Sequence, residues 1–276
     1  MRISSLQLEA FYAVTRNKGF SGAAKSLGLS QPALSQRVLN LERDLGVRLF
    51  ARDASGTRLT AAGERLLRHC QVQEALEGEV LGEIRESSVG LQGVIRIGGF
   101  STVMKSRILP QLAGLVGESP AVTIEALTRE LRDLPGLLRA GEIDFAVTDA
   151  PIEGYDFLDL APEYYVLVKR ARGPERSDVY LDHDFHDRTT LRFLGLRQAH
   201  RRSFLDDIEG ILEGVRMGWG RAVVPRHLIE DRRDLSEVKG HKAMRSRVVL
   251  NWLKGPYPTK LQSAVIEALQ VKTNAV

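Results

Sequence analysis

Apolar residues recur every three or four positions from Phe20 to Leu45, in two runs separated by a glycine. Phe20, Ala23, Ala24 and Leu27 make one short helical face. Gly28 stops that helix, and Leu29 plugs the turn. Ser30 suits an N-cap and Pro32 a first helical turn. Leu34, Val38, Leu41 and Leu45 then form a second buried stripe, with Gln31, Ser35, Gln36 and Arg37 on the other face. Short or planar hydrogen-bonding groups of that kind read base edges in a major groove. The pattern predicts a helix-turn-helix. Leu6, Leu8, Phe11, Tyr12 and Val14 predict a supporting helix over about 5–17, ended by Asn17-Lys18-Gly19. After Gly46, Val47–Phe50 and Arg58–Thr60 read as the arms of a β-wing with its tip at Asp53–Gly56.

Farther along, Leu66, Cys70, Gln73, Leu76, Val80 and Ile84 step by three or four along a helix predicted from Thr60 to about Ser87. One narrow seam of this type suits helix-to-helix pairing. Ser87–Gly93 is a hinge by composition. The pattern then becomes strand, helix, strand, helix, strand: Val94–Ile97, Thr102–Val116 (kinked or divided at Pro110), Val122–Ala126, Leu131–Ala140 and Phe145–Thr148. That order predicts a parallel sheet with covered faces. Pro151 and Gly154 mark a crossing into a second lobe, with strands at Tyr164–Lys169, Val179–Leu181 and Arg221–Pro225 and helices at Asp184–Leu194 and Asp206–Met217. Arg247–Leu253 and Thr259–Leu269 return to the first lobe. The expected divisions are 1–60, 61–89 and 90–276. Within the last, lobe I takes about 93–150 and 226–276, and lobe II about 151–225.

Charge sharpens the DNA reading. Residues 1–60 hold nine Lys/Arg and four Asp/Glu, net +5; the chain is +4, so 61–276 nets −1. A basic excess confined to the helix-turn-helix is the footprint of a phosphate-backbone partner. No apolar run approaches a membrane span, and MRISSLQLEAF lacks the apolar core of a signal peptide. The lone Cys70 can make no internal disulfide and fits a reducing cytoplasm.

The run SQPALSQRVLNLERDLGVRLFAR, followed by RLTAAGERLL, resembles the N-terminal domain of LysR-type transcriptional regulators over roughly the first 70 residues. GEIDFA (141–146) and DDIEGILEGVRMGWGRAVVPRHLI (206–229) resemble two turns of the same family's effector domain. The resemblance implies an α+β multidomain chain: an N-terminal winged helix-turn-helix, a long linker helix that pairs protomers into a dimer or tetramer, and a two-lobed α/β periplasmic-binding-protein-like effector domain. It places Gln31, Pro32, Ser35 and Gln36 at base edges, with Ser30 capping and Arg37, Arg52 and Arg58 at phosphate or in the minor groove. Partners would be double-stranded DNA, a small-molecule effector and further copies of the chain, in the cytoplasm.

In a two-lobed α/β domain a ligand sits between the lobes, at strand carboxyl ends and helix starts. Ser101, Thr102, Thr128, Thr148, Asp149 and Asp206 meet that description, although Asp206 also suits a helix cap. Free N–H groups at helix starts favour an anion, whereas the two acids favour an ammonium or guanidinium group. Tyr180–Asp187 and the spacing Gly141–Val147 look similar to the family branch that controls lysine and arginine export, which implies a basic amino-acid effector. DHDFHD (182–187) offers two imidazoles and three carboxylates, with His183 and Asp187 at metal-ligand spacing, but no second His/Cys pair supports a metal site. No nucleophile elbow, P-loop or dinucleotide fingerprint points to an enzyme, and no cofactor is expected. The closest rival is an effector-independent architectural DNA-binding protein, which would not need the α/β half.

Overall fold

The computed structural model describes residues 3–17, 19–53, 56–85, 90–197, 201–253 and 258–270. Three helices open the chain: α1 (Ser5–Arg16), α2 (Phe20–Ser26) and α3 (Gln31–Leu45). Ser30 caps α3 by accepting the Ala33 N–H at 3.3 Å, and Gly46 ends it at φ 69°. Ala10 and Val14 of α1 pack on Ala23 and Ala24 of α2 and on Leu34 and Val38 of α3. Strands β1 (Phe50–Asp53) and β2 (Gly56–Leu59) pair as a two-stranded wing with Ala51 opposite Arg58. The Arg52 side chain, the wing-tip residues 54–55 and hinge residues 86–89 lie outside what is described.

Helix α4 (Ala61–Arg85) starts where Thr60 accepts the Gly63 N–H at 3.1 Å and donates to the Arg48 carbonyl at 2.7 Å, so wing and helix are joined. A side chain at Gly63 would meet the Leu49 carbonyl oxygen at 2.2 Å, which makes glycine a packing requirement there. The expected seam divides in two. Leu67 and Cys70 face Phe11, Leu41 and Leu49 in the N-terminal domain, while Val80, Leu81 and Ile84 remain 52%, 48% and 73% exposed. Residues 66 and 70 therefore do not continue the pairing face. Gln73 lies on the exposed face and donates to Glu77 at 2.9 Å.

The remaining elements are β3 (Gln92–Gly99), α5 (Ser101–Val103), α6 (Leu109–Glu118), β4 (Ala121–Thr128), α7 (Leu134–Ala140), β5 (Phe145–Thr148), β6 (Asp156–Arg170), β7 (Tyr180–Asp182), α8 (Thr189–Leu194), β8 (Arg202–Phe204), α9 (Ile208–Met217), β9 (Arg221–Pro225), β10 (Leu235–Glu237), β11 (Met244–Trp252) and α10 (Lys260–Gln270). Strands β3, β4 and β5 run parallel, as the alternating pattern predicts. The hydrogen-bonded order is β4-β3-β5-β11-β6-β9-β7-β8, so one mixed sheet threads both lobes. Strand β6 makes this continuity: Asp156–Leu160 pairs antiparallel with β11, and Tyr165–Val168 pairs with β9. Its predicted extent, Tyr164–Lys169, missed the first half because Asp156, Asp159 and Pro162 break the apolar run.

Two corrections concern helices. The predicted Thr102–Val116 helix is continuous but passes through a π turn at Met104–Ile108, just before Pro110. Proline cannot donate to the Ser106 carbonyl and its ring crowds it, and the wider turn relieves both. The predicted Asp184–Leu194 helix shrinks to α8. Asp184 accepts the His186 and Asp187 N–H groups at 2.6 and 2.7 Å, and Asp187 accepts that of Thr189 at 2.8 Å. Such local side-chain acceptors compete with helix formation. Among the described residues no helix is long and apolar enough to cross a membrane.

Candidate DNA-reading and effector-binding sites

Helix α3 presents Gln31, Pro32 and Gln36 to solvent, with Ser35 and Arg37 half-buried. Gln36 is held by a hydrogen bond to Asn40 at 3.0 Å. Leu39, 47% exposed, lies on the same side of the helix. Sequence reading missed it, although it stands outside the Leu34–Val38–Leu41–Leu45 stripe and that break was the available signal. Arg58 is exposed on β2. Glu42 fixes the position of the wing relative to α3. It is buried, accepts the Leu49 and Phe50 N–H groups at 2.7 and 3.2 Å, and pairs with Arg48 at 2.9 Å. Tyr12 and Arg16 of α1 both bond Glu74 of α4, at 2.6 and 2.7 Å. The buried Cys70 thiol is pushed up to about 11 by desolvation, the opposite of a reactive thiolate.

In the α/β half, the parallel register places Thr128 and Val147 on either side of Gly99. The carboxyl ends of three adjacent strands thus bring Ser101, Thr128 and Thr148 to one edge. Their chemistry differs. Ser101 is half-buried at a helix start, and Thr128 and Asp149 are exposed. Thr148 is buried: its hydroxyl donates to the Ala150 carbonyl at 2.6 Å and accepts from Asn251 at 2.8 Å. Asn251 also accepts the Ile152 N–H at 2.8 Å, so Thr148 belongs to a polar knot inside the sheet. Thr102 has a buried hydroxyl oxygen that meets no hydrogen-bond partner among the described residues.

The facing lobe carries the DHDFHD segment, which an arginine staples. Arg202 bonds Asp182 at 2.5 Å and donates to the carbonyls of Phe185 and Asp184, at 3.3 and 3.4 Å, and to that of Asp187. Asp182 also accepts the Thr190 hydroxyl at 2.5 Å. Burial raises its carboxyl above the ordinary range while Thr190 and Arg202 act against that. Among the described residues, no group of three or more His, Cys, Asp or Glu is arranged to hold a metal ion. The cap of α9 is Asp207, which accepts the Gly210 N–H at 2.9 Å, and not Asp206. Asp206 is exposed, and its carbonyl lies 3.2 Å from His183 Nδ1. Arg132, just after β4, approaches Asp184 of the stapled segment at 3.7 Å, an exposed ion pair between the lobes.

A second polar group was not legible beforehand. Glu163, on the crossing strand β6, is 1% exposed, and neither carboxylate oxygen finds hydrogen-bond geometry with a described residue. Burial pushes its carboxyl up to about 7, although Arg107 and the neighbouring Tyr165 hydroxyl pull it down. His227 Nδ1 lies 3.7 Å away, and burial followed by the Arg107 charge lowers its basicity. Arg107 itself donates to the Ala161 carbonyl and, at 2.7 Å, to that of Pro162. A glutamate inside the otherwise apolar run 161–168 was the only sequence trace.

Comparison with known proteins matches both halves. Residues 6–64 match the family model described as a bacterial regulatory helix-turn-helix protein of the lysR family, and residues 88–273 match the LysR substrate binding domain. A probable hydrogen peroxide-inducible genes activator of Mycobacterium xenopi is 37% identical over 165 residues, covering 58% of this chain and 86% of that protein. The crystal structure of ArgP from Mycobacterium tuberculosis superposes with a TM-score of 0.79 at 20% identity, covering 100% of this chain and 99% of that one. Full-length LysG from Corynebacterium glutamicum, with bound effector Arg, gives 0.78 at 18% identity over 97% and 96%. With a lysR-type helix-turn-helix at one end and the substrate-binding domain filling most of the rest, this chain belongs to the LysR family of bacterial transcriptional regulators.

Proposed function

We propose that this DNA-binding regulator, acting in the cytoplasm, reads its operator with α3 and the wing and is modulated by a basic amino acid held between its two lobes. The capped, outward-facing polar surface of α3 carries the DNA half of the reading. Gln31, Pro32, Ser35 and Gln36 stand at base edges, Leu39 adds an apolar contact suited to a thymine methyl, and Arg37, Arg52 and Arg58 serve phosphate or the minor groove. The exposed Val80 and Leu81 of α4 border a groove with His69, Val72, Gln73 and Leu76, which suits pairing with a second copy. Pairing would set two copies of α3 for two half-sites.

Selection from random duplexes tests the base contacts. Gln31→Ala should relax preference at one position of each half-site, by about 1–3 kcal/mol of discrimination. Arg58→Ala should weaken all duplexes alike and reduce the slope of log affinity against log salt by about 1. An unchanged preferred site in Gln31→Ala would remove that residue from the reading surface.

The effector half is supported by the acidic Asp149 and Asp206 on the two lobes, exposed and so open to a cation, and by the likeness to ArgP and to LysG with bound Arg. The peroxide-responsive relative suggests a redox reading, but the buried, poorly acidic Cys70 counts against it here. Thermal unfolding with lysine or arginine should move upward with ligand concentration as RT ln(1 + [L]/Kd). A shift with an organic acid and none with either amino acid would reverse the choice of effector. No shift across a broad metabolite panel would favour an effector-independent architectural protein.

A further inference from the structure

Buried polar atoms without a partner are rare in folded proteins, and each calls for a physical reason. Among the described residues they are unevenly spread. Gln71, Tyr155 and Glu175 each contribute one such atom. Thr102 Oγ1, Ser106 Oγ, both oxygens of Glu163 and Nε2 of His227 fall on segments that Arg107 ties together. Thr102 and Ser106 stand one turn apart on the helix that carries Arg107. That guanidinium grips the backbone immediately before Glu163, and its charge reaches His227. These groups belong to a lobe I helix, the crossing strand β6, and the segment after β9 where the chain leaves lobe II; of them His227 Nδ1 and Glu163 stand 3.7 Å apart.

The unmet chemistry is specific. An ionised Glu163 offers two acceptors and no donor, and each hydroxyl can accept as well as donate. A three-donor ammonium would satisfy this set. A carboxylate or phosphate would meet the Glu163 charge, and two of the five Arg107 N–H groups are already given to the Ala161 and Pro162 carbonyls. The positive charge of Arg107 makes an amine with its own carboxylate, an α-amino acid, a better occupant than a free amine. Access exists at the margin: the His227 side chain is 29% exposed, and Thr102 and Ser106 are half-buried.

We propose that Glu163, on the strand that Arg107 ties to the helix of Thr102 and Ser106, seats the ammonium group of an amino-acid effector at the crossing between the lobes. This deepens the effector reading above and rests on it. The ligand would join both lobes to the strand about which they turn, so its binding energy would act directly on the interlobe angle. Proton linkage follows from the same geometry. The free Glu163 carboxyl sits at about 7, and the ammonium requires its charged form. Binding at pH 6 therefore expels close to one proton, and binding at pH 8 expels almost none. Affinity should rise about tenfold between those values. The other groups facing the site are Arg107 from the helix, Tyr165 from β6 and His227, with Glu230 near His227 and Asp187 and Arg192 near Tyr165.

The test is calorimetry on the full chain with L-arginine and L-lysine at pH 6 and pH 8, in buffers of differing ionisation enthalpy, beside the arginine analogue whose α-amino group is replaced by hydroxyl. Wild-type protein should release nearly one proton at pH 6 and bind the analogue at least tenfold more weakly. Glu163→Gln should lose at least tenfold in affinity together with the proton release, while its thermal midpoint stays equal or rises. His227→Gln should keep the proton release. Wild-type affinity or proton release surviving in Glu163→Gln, or loss of the release in His227→Gln alone, overturns the seat and leaves a basic amino-acid effector standing. No heat with either amino acid on wild-type protein overturns the effector reading and the seat together.

Discussion

Two buried glutamates stand in opposite situations. Glu42, at the carboxyl-terminal end of α3, is met by two backbone N–H groups and an arginine. Glu163, at the lobe crossing, is buried with the Tyr165 hydroxyl close by and His227 Nδ1 3.7 Å away, and it accepts no backbone N–H among the described residues. A satisfied buried carboxylate locks elements together, whereas an unsatisfied one costs stability and persists where something else uses it. The DNA-binding end is accordingly built as a rigid head, with α3, wing and α4 joined through Glu42 and Thr60. The effector end keeps unspent hydrogen-bonding capacity where its lobes meet.

Parallel substitutions offer the strongest way to break this contrast. Glu42→Ala leaves the buried Leu49 N–H and the Phe50 N–H without their acceptor and should cost about 3 kcal/mol. Hydrogen exchange at α1 and α3 would report it. Glu163→Gln should cost nothing at neutral pH by the same measurement at β6. A costly Glu163→Gln together with a silent Glu42→Ala would invert the argument.

A pH series sharpens it at similar size. Burial raises the Glu163 carboxyl from 4.5 to about 7, so the folded chain keeps a proton that the unfolded chain releases. Its contribution to stability is intact below pH 4.5, falls as pH rises from there to 7, and is flat above. The total loss is about 3 kcal/mol. The difference between wild-type and Glu163→Gln denaturation midpoints should trace that window, and a difference independent of pH would refute the shift.

The smallest expected effects separate two neighbouring aspartates. Asp207→Ala removes the cap of α9 and should cost about 1 kcal/mol in thermal unfolding. Asp206→Asn should stay within about 0.5 kcal/mol, since its side chain caps nothing. Equal losses would mean that the cap is shared.

The local architecture was largely legible in the residue order. Helix periodicity, Ser30 as a cap, Gly28 and Gly46 as stops and the strand–helix alternation up to Thr148 are short-range signals, because capping and amphipathic faces depend on residues within a turn or two of each other. Charge segregation and the run around α3 pointed to an N-terminal DNA-binding domain for the same reason.

What only the tertiary structure decided involves partners far apart in sequence. DHDFHD became a stapled loop because Arg202, from another strand, takes its carbonyls. Cys70 left the pairing seam because the first domain packs over it. Thr148 was drawn into the sheet by Asn251, 103 residues away. Glu163 looks like an ordinary polar strand residue until β6 bridges the lobes and closes water off from it. Local pattern dictates which elements form; burial and the meeting of distant polar groups decide which side chains are spent on the fold and which are left to bind.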